Sequence, residues 1–271
     1  MNWVGLHVAC PSEIREIILA ELSLLPFSTF EETEAGISAY CEEQEWNESN
    51  VQFIISKYNN CSYRHEFIKK TNWNKEWEKN YDPIIISNQC IVRANFHEPS
   101  SLPCEIIITP KMSFGTGHHA TTHLMLEYQL SLNHQEKKTL DVGCGTGVLA
   151  IMAHKRGASD IQALDIEDWC VENSRENFAL NNCSEIVVEQ KELPEVTDTD
   201  FDIILANITK GVHLDQMAKY SQILNKTGLL IMSGFYENDV DDLKTTAEQQ
   251  GLKFVETKTR NDWARLVCSK Q

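Results

Sequence analysis

Hydrophobic periodicity divides the chain into two regions, and the first covers residues 1–60. Trp3–Val8 has the composition of a strand, Ile14–Leu25 places apolar residues at helical spacing, and Val51–Tyr58 can form a second amphipathic helix. Ser12 precedes the first helical run, where an N-cap residue is expected. The pattern predicts a small α+β domain.

Residues 61–104 predict a connecting segment. Trp73, Trp77 and Tyr81 are spaced four residues apart, so a short helix would carry all three on one face. We interpret this face as a packing surface against a neighbouring domain. The apolar runs within residues 84–94 predict a β-hairpin.

From residue 105 to 271 the chain alternates between strand and helix patterns. The predicted strands are residues 139–142, 161–164, 186–189, 201–206, 229–232, 253–257 and 264–268. Such alternation predicts a doubly wound α/β domain, in which helices cover both faces of a parallel sheet. The last two strands are close in sequence and predict an antiparallel hairpin at the sheet edge.

The net charge bears on which classes of partner the protein can bind. Asp and Glu number 40 against 24 Lys and Arg, and the formal net charge is −16. This balance disfavours direct reading of nucleic acid and favours a basic protein partner, although the alternative is that the acidic excess only keeps the protein soluble. No apolar run approaches the roughly 18 residues of a membrane span, and the first residues lack a basic leader with an apolar core. We therefore expect a cytoplasmic protein with no membrane partner.

The nine cysteines include no Cys-x-x-Cys pair. The pairs closest in sequence, such as Cys90 and Cys104, have no metal-ligand spacing. We expect free thiols that pack as small hydrophobic side chains, and no metal site.

A glycine cluster is the first candidate for a functional site. Strand 139–142 is followed by Gly143, Gly145 and Gly147 and then by an apolar helix, which is the context that a nucleotide-type site requires. The third glycine lies two positions after the second, whereas a dinucleotide-binding loop has it three positions after. This spacing favours the ribose and amino-acid tail of S-adenosylmethionine, although a purely structural turn remains an alternative.

Two polar residues follow predicted strands. Asp165 comes directly after strand 161–164, where a carboxylate can bind both ribose hydroxyls; the alternative, capping of the next helix, suits Asp168 better. Asn207 ends strand 201–206 and could bind a ligand or cap the helix after Lys210.

The loop at residues 112–122 concentrates glycine, histidine and hydroxyl side chains, which core packing does not explain. We interpret it as a lid and hydrogen-bonding wall over the cofactor. His118 and His119 are adjacent, and neighbouring residues rarely aim at one metal ion.

Together, Gly-Thr-Gly-His-His-Ala-Thr-Thr at 115–122, Leu-Asp-Val-Gly-Cys-Gly-Thr-Gly at 140–147, Ala-Leu-Asp-Ile at 163–166 and Ala-Asn-Ile at 206–208 resemble the PrmA family, the bacterial methyltransferases of ribosomal protein L11. The resemblance spans nearly the whole chain, but the N-terminal region matches by length and pattern more than by residues. It implies a Rossmann-like methyltransferase domain and a small ferredoxin-like substrate-recognition domain. It also implies S-adenosylmethionine as cofactor, and transfer of methyl groups to lysine side chains and to the N-terminal amine of ribosomal protein L11.

Carried over residue by residue, the family's cofactor contacts fall on Thr122, Gly143, Asp165 and Asn207, and Asn207 could also orient the target amine. Weaker candidates for cofactor contact are Gly145, Gly147, Phe114, Gly115, Thr116 and His118.

Three other functions remain as alternatives: methylation of another protein or of a small molecule, a nicotinamide-dependent oxidoreductase, and a non-catalytic ribosome-binding module. The glycine spacing disfavours the oxidoreductase.

Overall fold

A computed structural model describes residues 2–68 and 81–271. The chain forms two compact units, Met1–Asn80 and Tyr81–Gln271. Trp73 and Trp77, which define the predicted aromatic helix, lie outside the described residues. Among the residues that the structure describes, every helix is too short or too polar to span a bilayer.

The first unit is built around an antiparallel sheet. Its elements are β1 (Trp3–Ala9), α1 (Ser12–Leu22), β2 (Thr29–Thr33), β3 (Gly36–Glu42), α2 (Glu48–Ile55) and β4 (Ser62–Ile68). The strand order is β2-β3-β1-β4, and every neighbouring pair is antiparallel. Leu6 and Val8 of β1 pack with Ile18 of α1 and Val51 of α2 in one core.

Two details of this unit differ from expectation. β4 lies beyond residue 60, yet it pairs with β1 along its whole length, from Ser62 to Ile68. Ser12 is the first residue of α1 and not its N-cap, which is Pro11 without a side-chain cap bond. The predicted N-cap was therefore wrong by one residue.

The second unit opens with a small sheet of β5 (Ile84–Ile86), β6 (Cys90–Ala94) and β7 (Cys104–Ile108). β5 and β6 form the predicted antiparallel hairpin, and β7 adds to β6 in parallel. β7 was not predicted as a strand. It leads directly into the loop at residues 112–122.

The main sheet occupies the rest of this unit. Its elements are α3 (Ala120–Ser131), β8 (Lys138–Val142), α4 (Val148–Lys155), β9 (Asp160–Asp165), α5 (Asp168–Leu180), β10 (Val187–Gln190), β11 (Phe201–Asn207), α6 (Lys210–Ile223), β12 (Leu224–Tyr236), α7 (Val240–Gln249), β13 (Leu252–Arg260) and β14 (Trp263–Lys270). In the described chain the order is β10-β9-β8-β11-β12-β14-β13. The first five strands in this order are parallel, and β14 and β13 form an antiparallel hairpin at one edge of the sheet. The predicted α/β fold is confirmed.

Two cores cover the faces of this sheet, because successive residues of each strand point to opposite sides. Leu205 of β11 packs in the core shared with α4 and α5, whereas Ile204 packs in the core shared with α6 and α7. From β8 the chain first winds outward to β9 and β10, and then returns to the other side as β11 and β12. Ligands of open α/β sheets bind at the carboxyl ends of the strands beside such a reversal of order.

Candidate active site

The glycine-rich turn folds over the end of the neighbouring strand. The backbone N–H groups of Gly143 and Cys144 both donate to the carbonyl of Leu164, at 2.8 and 3.0 Å. Gly147 has a left-handed backbone with φ of 75° and is the N-cap of α4. The turn thus joins the carboxyl ends of β8 and β9 to the start of a helix, as the predicted nucleotide-type site requires.

The predicted loop at residues 112–122 ends earlier than expected, because residues 120–122 form the start of α3. Residues 112–119 interlock with the glycine turn. The N–H of Thr146 donates to the carbonyl of Phe114 at 2.9 Å, and the Thr146 hydroxyl donates to the carbonyl of Gly115 at 2.7 Å. A Cβ atom on Gly145 would lie 2.2 Å from the Phe114 carbonyl oxygen, so only glycine fits there. The loop therefore forms a fixed wall of the cleft.

Asp165 joins the same cluster from β9. It is 8% exposed; its Oδ2 accepts the Gly145 N–H at 2.9 Å and its Oδ1 accepts the Glu167 N–H at 3.1 Å. Each carboxylate oxygen keeps a further lone pair. The N-cap of α5 is Glu167, and Asp168 is the first helical residue, so the expectation that Asp168 caps α5 was wrong.

Asn207 lies opposite, at the end of β11. Its Nδ2 donates to the Thr122 hydroxyl at 3.3 Å, and its buried Oδ1 has no hydrogen-bond partner among residues 2–68 and 81–271. The N-cap of α6 is Thr209, so Asn207 does not cap that helix. The side chain therefore keeps an unpaired acceptor, and a buried unpaired acceptor favours a partner that carries N–H groups.

The side chains of the two adjacent histidines make different contacts. His118 is exposed; its Nδ1 is 3.1 Å from the Thr116 hydroxyl and its ring is 4.7 Å from that of Tyr81. His119 is the N-cap of α3, where its side chain accepts the Thr121 N–H. Within residues 2–68 and 81–271, no three His, Cys, Asp or Glu side chains are placed to hold a metal ion.

Asp141 belongs to the predicted glycine motif but had no predicted role, and it is fully buried in β8. Its Oδ2 accepts the Ala150 N–H at 3.0 Å, and its Oδ1 has no hydrogen-bond partner in the part of the chain that the structure describes. Burial, and to a lesser extent the charge of Asp165, raise the pKa of Asp141 to about 7. The available signal was a carboxylate within an apolar strand directly before the glycine turn.

Sequence analysis also missed an aromatic cluster contributed by β12 and β14. The Trp263 ring lies 4.6 Å from that of His119 and 4.2 Å from that of Tyr236. His119 in turn contacts Phe114, at 5.3 Å between ring centres. These residues are too far apart in sequence for any local pattern to connect them. They add an apolar wall beside the cleft.

Comparison with known proteins agrees with this geometry. The family model of the ribosomal protein L11 methyltransferase (PrmA) matches residues 14–271. A ribosomal protein L11 methyltransferase from Porphyromonas gingivalis is 41% identical over 258 residues, which cover 93% of this chain and 89% of the relative. The protein of that name from Bacteroides thetaiotaomicron is 37% identical, covering 95% of this chain and 94% of the relative.

One solved structure extends the likeness to three dimensions. The ribosomal protein L11 methylase of Lactobacillus delbrueckii subsp. bulgaricus superposes with a TM-score of 0.65 and 27% identity, covering 70% of this chain and 98% of that one. The strand order, the glycine turn and the acidic strand end define a Rossmann-like methyltransferase. More specifically, the chain belongs to the ribosomal protein L11 methyltransferase (PrmA) family.

The interlocked loops generate a stability prediction. We expect Gly145→Ala to lower the free energy of unfolding by at least about 2 kcal/mol, because the new methyl group meets the Phe114 carbonyl and φ is +55°. Urea unfolding measures the change. The control is Gly211→Ala in α6, where nothing lies within 4 Å, and we expect no loss there. Equal destabilisation of both variants would contradict the interlock.

Asp141 generates a pH prediction. Its pKa is raised in the folded protein, so its contribution to stability is complete below its unfolded pKa and is lost as pH rises towards about 7. Asp141→Asn keeps an acceptor for the Ala150 N–H but does not ionise. We expect the variant to gain stability relative to the parent by up to about 1.4 kcal/mol per pH unit across this interval. Urea unfolding at several pH values tests this; a constant difference would exclude Asp141 as the titrating group.

Proposed function

We propose that the protein transfers methyl groups from S-adenosylmethionine to lysine side chains and to the N-terminal amine of ribosomal protein L11. Membership of the family supports this proposal, since its relatives are named ribosomal protein L11 methyltransferases. The observation that carries it is the convergence of the Gly143 turn, Asp165 and the Thr122–Asn207 pair at the carboxyl ends of β8, β9 and β11.

The donors and acceptors at this edge fit S-adenosylmethionine. The lone pairs that remain on Asp165 suit ribose hydroxyls, and the free Oδ1 of Asn207 suits an N–H donor. Thr122 and Gly143 are the other two residues that we assign to cofactor contact. Gly145, Gly147, Gly115 and Thr116 shape the wall, whereas Phe114 and His118 expose their rings beside it.

When bound, this cofactor supplies a methyl group that its sulfonium already activates. The chain therefore has to orient an amine and keep it neutral. A lysine of ordinary pKa, ~10.4, is charged at neutral pH; partial desolvation beside a positive charge lowers that pKa, and the proton can leave to water. The Asn207 Oδ1 would then accept an N–H of the amine and hold its lone pair in line. No strong general base is needed for these steps.

We assign substrate recognition to the N-terminal unit. Its βαββαβ element order and its β2-β3-β1-β4 sheet support a ferredoxin-like domain. A net charge of −16 complements a basic ribosomal protein, whether free or in the large subunit, and disfavours direct nucleic-acid reading. We place the reaction in the cytoplasm because the relatives are named for a ribosomal substrate.

Asp165 provides the test of the cofactor site. We expect Asp165→Ala to weaken S-adenosylmethionine binding at least about tenfold, since hydrogen bonds to a charged group are lost. Calorimetry measures the affinity, and thermal unfolding checks that the variant is folded. Asp168→Ala is the matched control, because the Asp168 side chain is exposed and accepts the N–H of the neighbouring Trp169. Unchanged affinity in Asp165→Ala would refute the ribose assignment, and saturable NAD binding would favour the oxidoreductase.

A labelling experiment tests the substrate. The protein is incubated with methyl-labelled S-adenosylmethionine and a mixture of ribosomal proteins, and we expect label in ribosomal protein L11. A chain of residues 81–271 should bind the cofactor normally but leave ribosomal protein L11 unlabelled, since the recognition unit is missing. Label in a different protein or in a small molecule would support the alternative substrates. Full labelling by the shortened chain would refute the role of the N-terminal unit.

A further inference from the structure

Two cysteines face each other on neighbouring strands of the small sheet. Cys90 and Cys104 are register partners in the parallel pair β6–β7, and each is the first residue of its strand. Neighbouring strands lie about 4.8 Å apart, which falls within the Cα separations that a disulfide spans. The two Sγ atoms are 3.0 Å apart. The two thiols can therefore bond to each other without movement of the backbone.

The two thiols are not equivalent. Cys90 is fully buried, whereas Cys104 is partly exposed. The Cys90 thiol donates to the Cys104 sulfur, and this hydrogen bond, together with the positive charges of Lys155 and Arg156, lowers the pKa of Cys104. The same hydrogen bond and burial raise the pKa of Cys90. Cys104 is thus suited to attack, and Cys90 to act second.

Four other cysteines are less suited to attack, because the pKa of each is raised. Cys61 is also partly exposed, but burial raises its pKa. Cys144, Cys170 and Cys268 are buried, and burial raises the pKa of each. Because the thiolate is the reacting species, a raised pKa lowers the fraction of a thiol that can react at neutral pH.

We propose that Cys90 and Cys104 form a dithiol modification site, which low-molecular-weight disulfides convert to an intramolecular disulfide. The Cys104 thiolate attacks the disulfide and releases one thiolate, leaving a mixed disulfide on Cys104. Cys90 then attacks the Cys104 sulfur; its proton passes to the departing thiolate. Two protein thiols are oxidised, and one external disulfide is reduced to two thiols.

The position of the pair separates this chemistry from the cofactor cleft. Cys104 begins β7, whereas the loop that contacts the glycine turn follows the other end of that strand, after Ile108. The proposal therefore does not depend on methyl transfer, and its test uses no activity measurement.

The test treats the reduced full-length protein with limiting oxidised glutathione, blocks free thiols with N-ethylmaleimide and maps the peptides without reduction. We expect the first product to be a peptide pair linked through Cys90 and Cys104, formed before any adduct on Cys61. Cys90→Ser should trap glutathione on Cys104, and Cys104→Ser should leave Cys90 unmodified. Cys61→Ser, the matched control, should form the link as the parent does.

Two outcomes would overturn the proposal. One is glutathione accumulating on Cys104 of the parent protein without transfer to Cys90. The other is prior reaction of Cys61 or of any cysteine outside the pair. Thermal unfolding of each serine variant establishes that it is folded, and the order of modification in the parent protein decides the question if a variant is not.

Discussion

The cleft depends on one contact, in which Asp165 accepts the backbone N–H of Gly145. The opposite side of Gly145 lies against the Phe114 carbonyl, so three segments distant in sequence meet at a residue that has no side chain. The Asp165 carboxylate and the Phe114 carbonyl together fix the position of Gly145. Because both neighbours are anchored in β9 and in the loop after β7, the turn is held in place before any ligand binds.

Buried polar side chains of α5 reinforce this arrangement from behind. The Asn177 Nδ2 donates to the Thr146 carbonyl at 2.8 Å, while its Oδ1 accepts the Thr109 N–H at 2.8 Å. The Ser174 hydroxyl donates to the carbonyl of Gly145 at 2.9 Å. Each bond satisfies a backbone group that burial would otherwise leave unpaired. A helix that resembles an ordinary polar surface in sequence is therefore part of the support of the site.

Local sequence patterns predict some parts of this structure and miss others. The positions of Asp165 and Asn207 at one edge of the sheet could be predicted, because the carboxyl ends of neighbouring parallel strands share that edge. α3 was missed because it is buried on several sides, from Ala120 to Gln129, and so lacks a helical polar face. β4 and β7 were missed because pairing with distant strands, and not local pattern, creates them.

Two unsatisfied oxygens define the electrostatics that a ligand must match. The Oδ1 of Asp141 and the Oδ1 of Asn207 lie on the neighbouring strands β8 and β11, buried and without a hydrogen-bond partner among the described residues. Such acceptors destabilise a fold unless something donates to them or neutralises them. A pyrophosphate would add negative charge near Asp141 and Asp165, whereas a ligand with a positive centre and N–H groups relieves both carboxylates. The burial that raises the pKa of Asp141 thus disfavours the addition of further negative charge at this edge of the sheet.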